Sequence, residues 1–289
     1  MFQTYKDFNF RESTIEIIDC ANRIIVEYQV DGYDLTLRQL YYQFVSRGII
    51  ANSQKEYSRL GDIISNARLA GHIDWEAIKD RTRAVVENSH WEGPAEILES
   101  AAYSFKLDTR RDQKNYIEVW IEKEALAGIA ERVCGKLDIP FFACRGYVSQ
   151  SAMYEAACRI KQRMSDRTLI IHLGDHDPSG INMTRDIRDR LEMFECDDIE
   201  IDRIALNMNQ VEQYSPPPNP AKMTDSRCNS YVDQYGYSSW ELDALDPKVI
   251  TNLIKLRVAK ATEHKKLRAL QEKQEDLRKQ LLELTDNFE

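Results

Sequence analysis

Between residues 116 and 206 the chain alternates apolar runs of strand length with helical stretches, and this alternation restricts the fold more than any other feature of its 289 residues. Strands are expected at 116–121, 140–144, 168–173 and 199–206, and helices at 124–137, 151–164 and 179–194. Parallel neighbours need long crossover connections, which helices of this length supply. The expected fold class is therefore α/β with a mostly parallel sheet.

The residues before this unit read differently. A helix is expected over 13–28, opened by the capping-box pattern Ser13-Thr14-Ile15-Glu16. A second begins at Thr36, with Gln39 three residues on, and stops at Gly48. A third begins at Ser53, with Glu56 as its partner, and runs to about Ala70 before Gly71. With the segment 83–92 they read as a helix-turn-helix with a wing. The polar stretch 104–115 reads as a linker, and 214–240, with Pro216-Pro217-Pro218, as a long irregular insertion. From about Pro247 the chain reads as one helix, and Leu267, Leu270, Gln274, Leu277, Leu281 and Leu284 form a seam for a dimer or intramolecular contact. The expected division is 1–108, 109–248 and 249–289.

Charge limits the partners. Lys plus Arg number 39 against 48 Asp plus Glu, a net charge of −9, which does not suit a protein that coats nucleic acid through its general field. DNA contact would have to come from local patches, such as Arg47, Lys55, Arg59 and Arg68, or the group Lys255, Arg257, Lys260, Lys265, Lys266 and Arg268. The six cysteines form no CxxC pair, which argues against a disulfide framework or structural zinc and fits a reducing cytoplasm. No 18-residue apolar run or signal-peptide core is present, so no membrane association is expected.

The chemistry concentrates where strands end. The run Leu169-Ile170-Ile171-His172-Leu173 leads into Gly174-Asp175-His176-Asp177-Pro178-Ser179-Gly180. Residues two apart in extended chain face the same way, so Asp175 and Asp177 can converge on one ion. Asp177 can equally cap the following helix. Tyr116-Ile117-Glu118-Val119-Trp120-Ile121-Glu122-Lys123 puts Glu122 at the end of another strand of the same sheet. Three carboxylates at such an edge offer hard oxygen ligands suited to Mg²⁺ or Mn²⁺.

The two strand-end motifs, in this order, resemble the Toprim domain of topoisomerases, primases and some nucleases. Trp240-Glu241-Leu242-Asp243-Ala244-Leu245-Asp246-Pro247 resembles a segment that follows this domain in topoisomerase VI A subunits. Thr36-Leu37-Arg38-Gln39-Leu40-Tyr41-Tyr42 resembles the Arg-acid-Ile-Tyr-Tyr motif of type IIB topoisomerase A subunits and meiotic double-strand-break proteins, with Gln39 in place of the acid. The compact chain is similar to the stand-alone Mini-A members.

This resemblance implies a winged-helix domain followed by a Rossmann-like Toprim domain. It also implies Mg²⁺ (or Mn²⁺) at Glu122, Asp175 and Asp177, with Glu122 available for proton transfer. Tyr42 becomes the nucleophile that forms a 5′-phosphotyrosyl link, and Arg38 its supporting cation. The implied partners are double-stranded DNA, a second copy in a homodimer whose acids serve the other protomer's tyrosine, and a separate ATPase subunit. The implied setting is cytoplasmic, at the nucleoid of a bacterium or archaeon or in a phage-type system. Two alternatives stay open: a metal-dependent hydrolytic nuclease in which Tyr42 only packs, and a non-catalytic winged-helix DNA-binding protein.

Overall fold

The computed structural model describes residues 2–30, 32–78, 88–163, 165–222, 225 and 227–284. Three helices lead: α1 (Glu12–Val30), α2 (Leu37–Ser46) and α3 (Gln54–Leu69). They pack around Ile18, Ile24, Tyr28, Leu40, Phe44 and Ile64. Thr36 caps α2 with both halves of the box formed, its backbone N–H donating to Gln39 Oε1 at 2.9 Å. Gly48 and Gly71 take positive φ, +69° and +75°, just past α2 and α3, where other residues would be strained. Ser53 caps α3, but the Glu56 carboxylate pairs with Arg59 at 2.8 Å rather than returning to Ser53.

The opening of α1 differs from expectation. The N–H groups of Thr14 and Ile15 both donate to Arg11 O, so Ser13 lies inside the first turn and does not cap it. Of the expected wing, residues 83–87 lie outside the described residues, and residues 88–93 form no helix or strand before α4 (Pro94–Ser104).

The α/β part follows the sequence reading closely. β1 (Asn115–Ile121), β2 (Phe141–Ala143), β3 (Arg167–Leu173) and β4 (Ile199–Ala205) form a parallel sheet in the order β2-β1-β3-β4. Helices α5 (Ala127–Leu137), α6 (Gln150–Lys161) and α7 (Pro178–Met193) make the crossovers. Ile117, Val119, Ile121, Leu169, Ile171 and Leu173 cover one face, in the period of two that a strand imposes. Trp120 and Ile170 point to the other, against Met153 of α6 and Ile187 of α7. β1 connects outward to β2 and β3 outward to β4, on opposite sides. The carboxyl edge between β1 and β3 is thus the switch point at which open α/β sheets receive ligands.

The last third departs from expectation in two places. After α8 (Met208–Tyr214), the stretch expected to be irregular pairs β5 (Asn219–Pro220) with β6 (Ser238–Ser239) and carries α9 (Cys228–Tyr235) between them. Its apolar residues Cys228 and Tyr231 pack on each other and on Ile181, a small satellite core that short polar runs conceal. The expected single C-terminal helix is two, α10 (Pro247–Lys260) and α11 (His264–Glu283). Buried Gln113 explains the break, because its side chain accepts from Glu263 N at 2.7 Å and donates to Glu263 O. The heptad seam turns inward: Leu270 is buried, Gln274 accepts from Leu107 N at 2.9 Å, and Arg278 donates to Ala102 O at the end of α4. The polar stretch 104–115 is therefore anchored, with Arg110 donating to Leu137 O at 2.9 and 2.7 Å. No helix among the described residues is long and apolar enough to cross a membrane.

Candidate functional site

The register Ile121↔Leu173 sets the turns after β1 and β3 side by side. Glu122 Oε2 accepts the Asp175 N–H at 2.8 Å, and Asp175 Oδ1 accepts Leu242 N–H at 2.8 Å. Asp177 caps α7 by accepting Gly180 N–H at 2.6 Å. Two glycines permit this closeness. A Cβ on Gly174 would lie 2.8 Å from Glu122 Oε2, and one on Gly180 would lie 2.2 Å from Asp175 O. At Gly180 the backbone leaves no room for a carbon atom, and at Gly174 one would push the Glu122 carboxylate aside.

Lys123 and Arg38 bring cations to the same place from different parts of the chain. Lys123 Nζ stands 3.0 Å from Asp175 Oδ2, 2.8 Å from Glu241 Oε2 and 3.8 Å from Asp243 Oδ1. Arg38, one turn before Tyr42 on α2, pairs with Asp243 at 2.6 Å, contacts Glu241, and donates to the Tyr42 hydroxyl at 3.3 Å. Arg38, Tyr42, Lys123, Asp175, Asp177 and Glu241 line one cavity of about 390 Å³. The neighbouring Tyr41 lines the same cavity, but its hydroxyl is engaged, accepting Ser53 N–H at 2.8 Å and donating to Asn52. A larger cavity of about 680 Å³ lies at the opposite, amino end of β1 and contains none of these residues.

Electrostatically the site carries surplus negative charge. Five carboxylates (Glu122, Asp175, Asp177, Glu241 and Asp243) face three cations (Arg38, Lys123 and Arg203). Burial, and then the neighbouring Glu122, push Asp175 up to about 7, against Lys123 and the Leu242 N–H. Burial and Asp177 push Glu122 up as well. Glu241 goes the other way: burial opposes its charge, but Lys123 and Arg38 hold it down at about 2. The Tyr42 phenol is pushed well above its ordinary value by burial and by Asp243 and Glu241, and Arg38 offsets this only in part. At 4% exposure the ring is nearly sealed in this arrangement.

The residues singled out from sequence thus meet unevenly. Tyr42 and Arg38 share a cavity with Asp175 and Asp177 within a single chain, where the resemblance implied that the acids would serve the other protomer's tyrosine. Glu122 and Asp175 adjoin, while Asp177 is occupied with the helix N-terminus. No group of three or more His, Cys, Asp or Glu placed to hold one ion occurs among the described residues. Among the basic residues, Arg47 pairs with Glu27 at 2.9 Å, and Arg257 is taken up by Glu200 and Asp202.

Sequence reasoning assigned no role to Lys123, Glu241, Asp243 or Arg203. Arg203 donates to Gly174 O and Gly180 O, each at 2.9 Å, and to Asp175 O, bracing both turns of the acidic loop from below. Its signal was available, since an arginine two residues after Ile201 on a strand shares its inward phase and needs a polar reason to point inward. The insertion is joined to the same loop. His176 and Trp240 exchange backbone hydrogen bonds of 2.8 and 2.9 Å, and His176 Nδ1 lies 2.8 Å from the Tyr231 hydroxyl.

No protein-family model matches the chain, and neither does any curated protein.

Proposed function

We propose that the chain is a DNA-cleaving enzyme of the kind found in type IIB topoisomerase A subunits, acting on double-stranded DNA as a homodimer. In this reading 1–108 is a winged-helix domain, 109–248 a Toprim domain, and any ATP-driven step belongs to a separate subunit. One observation carries the reading: a tyrosine, an arginine one turn before it, a lysine and two strand-end aspartates line a single polar cavity at the switch point of a parallel sheet.

The Tyr42 phenol oxygen attacks a DNA phosphorus, and the bond from phosphorus to the 3′ oxygen breaks. The products are a 5′-phosphotyrosyl link and a 3′-hydroxyl. Glu122, to which the resemblance assigns proton transfer, is hydrogen-bonded to Asp175 N–H rather than to Tyr42, so the phenol proton reaches it, and from there the departing oxygen, by relay. Arg38 and Lys123 face the non-bridging phosphate oxygens, as preorganised cations do where charge builds in a transition state. Glu122, Asp175 and Asp177 are the residues that would hold Mg²⁺ or Mn²⁺; their oxygen chemistry suits such an ion, but Asp177, which caps α7 in this arrangement, would have to turn toward the other two. Bound there, such an ion would supply Lewis-acid polarisation of the phosphate.

A metal-dependent nuclease is the second reading, favoured by the raised phenol: a protonated, buried Tyr42 packs, and water attacks instead. A denaturing gel of end-labelled duplex DNA separates the two. Transesterification leaves protein-linked 5′ ends that disappear in Tyr42→Phe, whereas hydrolysis leaves free ends that survive it. Cleavage by neither route would leave only a DNA-binding protein.

A further inference from the structure

Arg38 and Lys123, two of the cations that line the cavity with Tyr42, are already occupied. Glu241 Oε2 lies 2.8 Å from Lys123 Nζ and also contacts Arg38, so one carboxylate oxygen bridges a cation on α2 and a cation after β1. The other oxygen accepts from Asn219 Nδ2 at 3.4 Å, and the Tyr42 hydroxyl also hydrogen-bonds to the Glu241 carboxylate. An oxyanion between an arginine and a lysine, beside a hydroxyl nucleophile, is the arrangement that a bound phosphate group would make. Its neighbour Asp243 pairs with Arg38 separately, so that Arg38 stays in place without Glu241. Glu241 lies between Trp240, which exchanges backbone hydrogen bonds with His176, and Leu242, whose N–H donates to Asp175, so it is rotation of the Glu241 side chain, not a backbone change, that would take the carboxylate out of the cavity.

We infer that Arg38 and Lys123 form a phosphate seat and that Glu241 is a built-in occupant of it, a carboxylate that a DNA phosphodiester must displace to reach Tyr42. The inference rests on the proposed function for the identity of the ligand, and it adds a gate: the resting chain is closed by its own side chain. Leaving the seat removes one of the two carboxylates beside the phenol, so that the same movement admits the substrate and relieves Tyr42.

The gate sets an expectation for binding. If the open form is about one-tenth of the population, apparent affinity is reduced about tenfold, and removing the occupant restores it. The test is binding of a fluorescent duplex oligonucleotide and, separately, of inorganic pyrophosphate, to the full chain with EDTA present so that no cleavage occurs. Glu241→Gln is expected to bind both probes about three- to tenfold more tightly than the wild type. Glu241→Asp, which draws the charge back by one methylene, is expected to shift the same way by less. Lys123→Gln is expected to weaken both probes.

Unchanged or weaker binding in both Glu241 variants overturns the inference, as does failure of both to fold, since Glu241 would then be a structural tie between the two parts of the chain. Tighter pyrophosphate binding in Glu241→Gln without any protein-linked DNA from the wild type keeps the seat and rejects the transesterase. Protein-linked DNA from the wild type without tighter binding in the variants does the reverse.

Discussion

Glu118 and Glu122 are four residues apart on and just after β1, both largely withdrawn from water, and they behave oppositely. Glu118 is 1% exposed, yet its carboxyl is held below the ordinary value. Burial alone would raise it, but Arg159 donates to both oxygens at 2.8 and 2.9 Å, and Tyr116 and Trp120 add bonds of 2.6 and 2.8 Å. Glu122 is pushed up by burial and by Asp177, with a backbone N–H and more distant cations to oppose it. A buried charge tolerates desolvation when its lone pairs are filled and a counter-ion is fixed beside it. The first glutamate meets that condition with protein groups and is part of the scaffold. The second does not, and it adjoins Asp175, which lines the cavity. The contrast separates a carboxylate serving the fold from one available for chemistry.

That distinction can be broken in several ways, beginning with the largest effect. If the cavity is catalytic, Tyr42→Phe abolishes protein-linked DNA and Asp175→Ala lowers its yield by about 10²- to 10³-fold, measured on a denaturing gel, whereas Arg159→Ala lowers it only as far as it unfolds the chain. Next, Arg159→Ala strands the buried Glu118 and is expected to cost about 3 kcal/mol in urea denaturation. Glu122→Gln, which removes an uncompensated charge, is expected to be neutral or to add up to about 1 kcal/mol in the absence of metal. Equal losses in both variants would erase the contrast. Third, saturating Mg²⁺ should raise the thermal midpoint of the wild type by about 3–5 °C and leave Glu122→Gln unmoved.

The smallest effect is in pH. Asp175 titrates near 7 in the folded chain against an ordinary value of 3.8, so between these values the folded state holds a proton that the unfolded state has lost. Its contribution is therefore fully present at acidic pH and fades as pH rises through about 7. Without metal, stability is expected to fall by about 1–2 kcal/mol more in the wild type than in Asp175→Asn between about pH 5 and pH 8. Mg²⁺ should reduce that slope, because the ion binds the deprotonated carboxylate.

Most of the α/β frame was legible because its signals are local. Period-two apolar runs, helices of crossover length and the box at Thr36–Gln39 each need only neighbouring residues, and each element of the sheet lies within a few residues of its expected bounds. The strand-end placement of Glu122, Asp175 and Asp177 follows from the same pattern. What was not legible depends on partners far along the chain. Gln113 stops a continuous-looking helix by binding Glu263, and α9 folds onto α7 through Tyr231 and Ile181. Glu241 matters only because Arg38 and Lys123 come to it from more than a hundred residues away. Arg203 is the intermediate case, since its inward phase on β4 was readable but the carbonyls that it braces were not.

The measurement that bears most directly on the proposal is the location of the covalent bond. Wild-type chain incubated with duplex DNA and Mg²⁺, denatured, and digested with nuclease and protease should yield a peptide that carries a nucleotide through a 5′-phosphate on Tyr42, identified by mass spectrometry. Attachment at Tyr41, Tyr57 or any other residue, or cleaved DNA with no modified peptide, would contradict it.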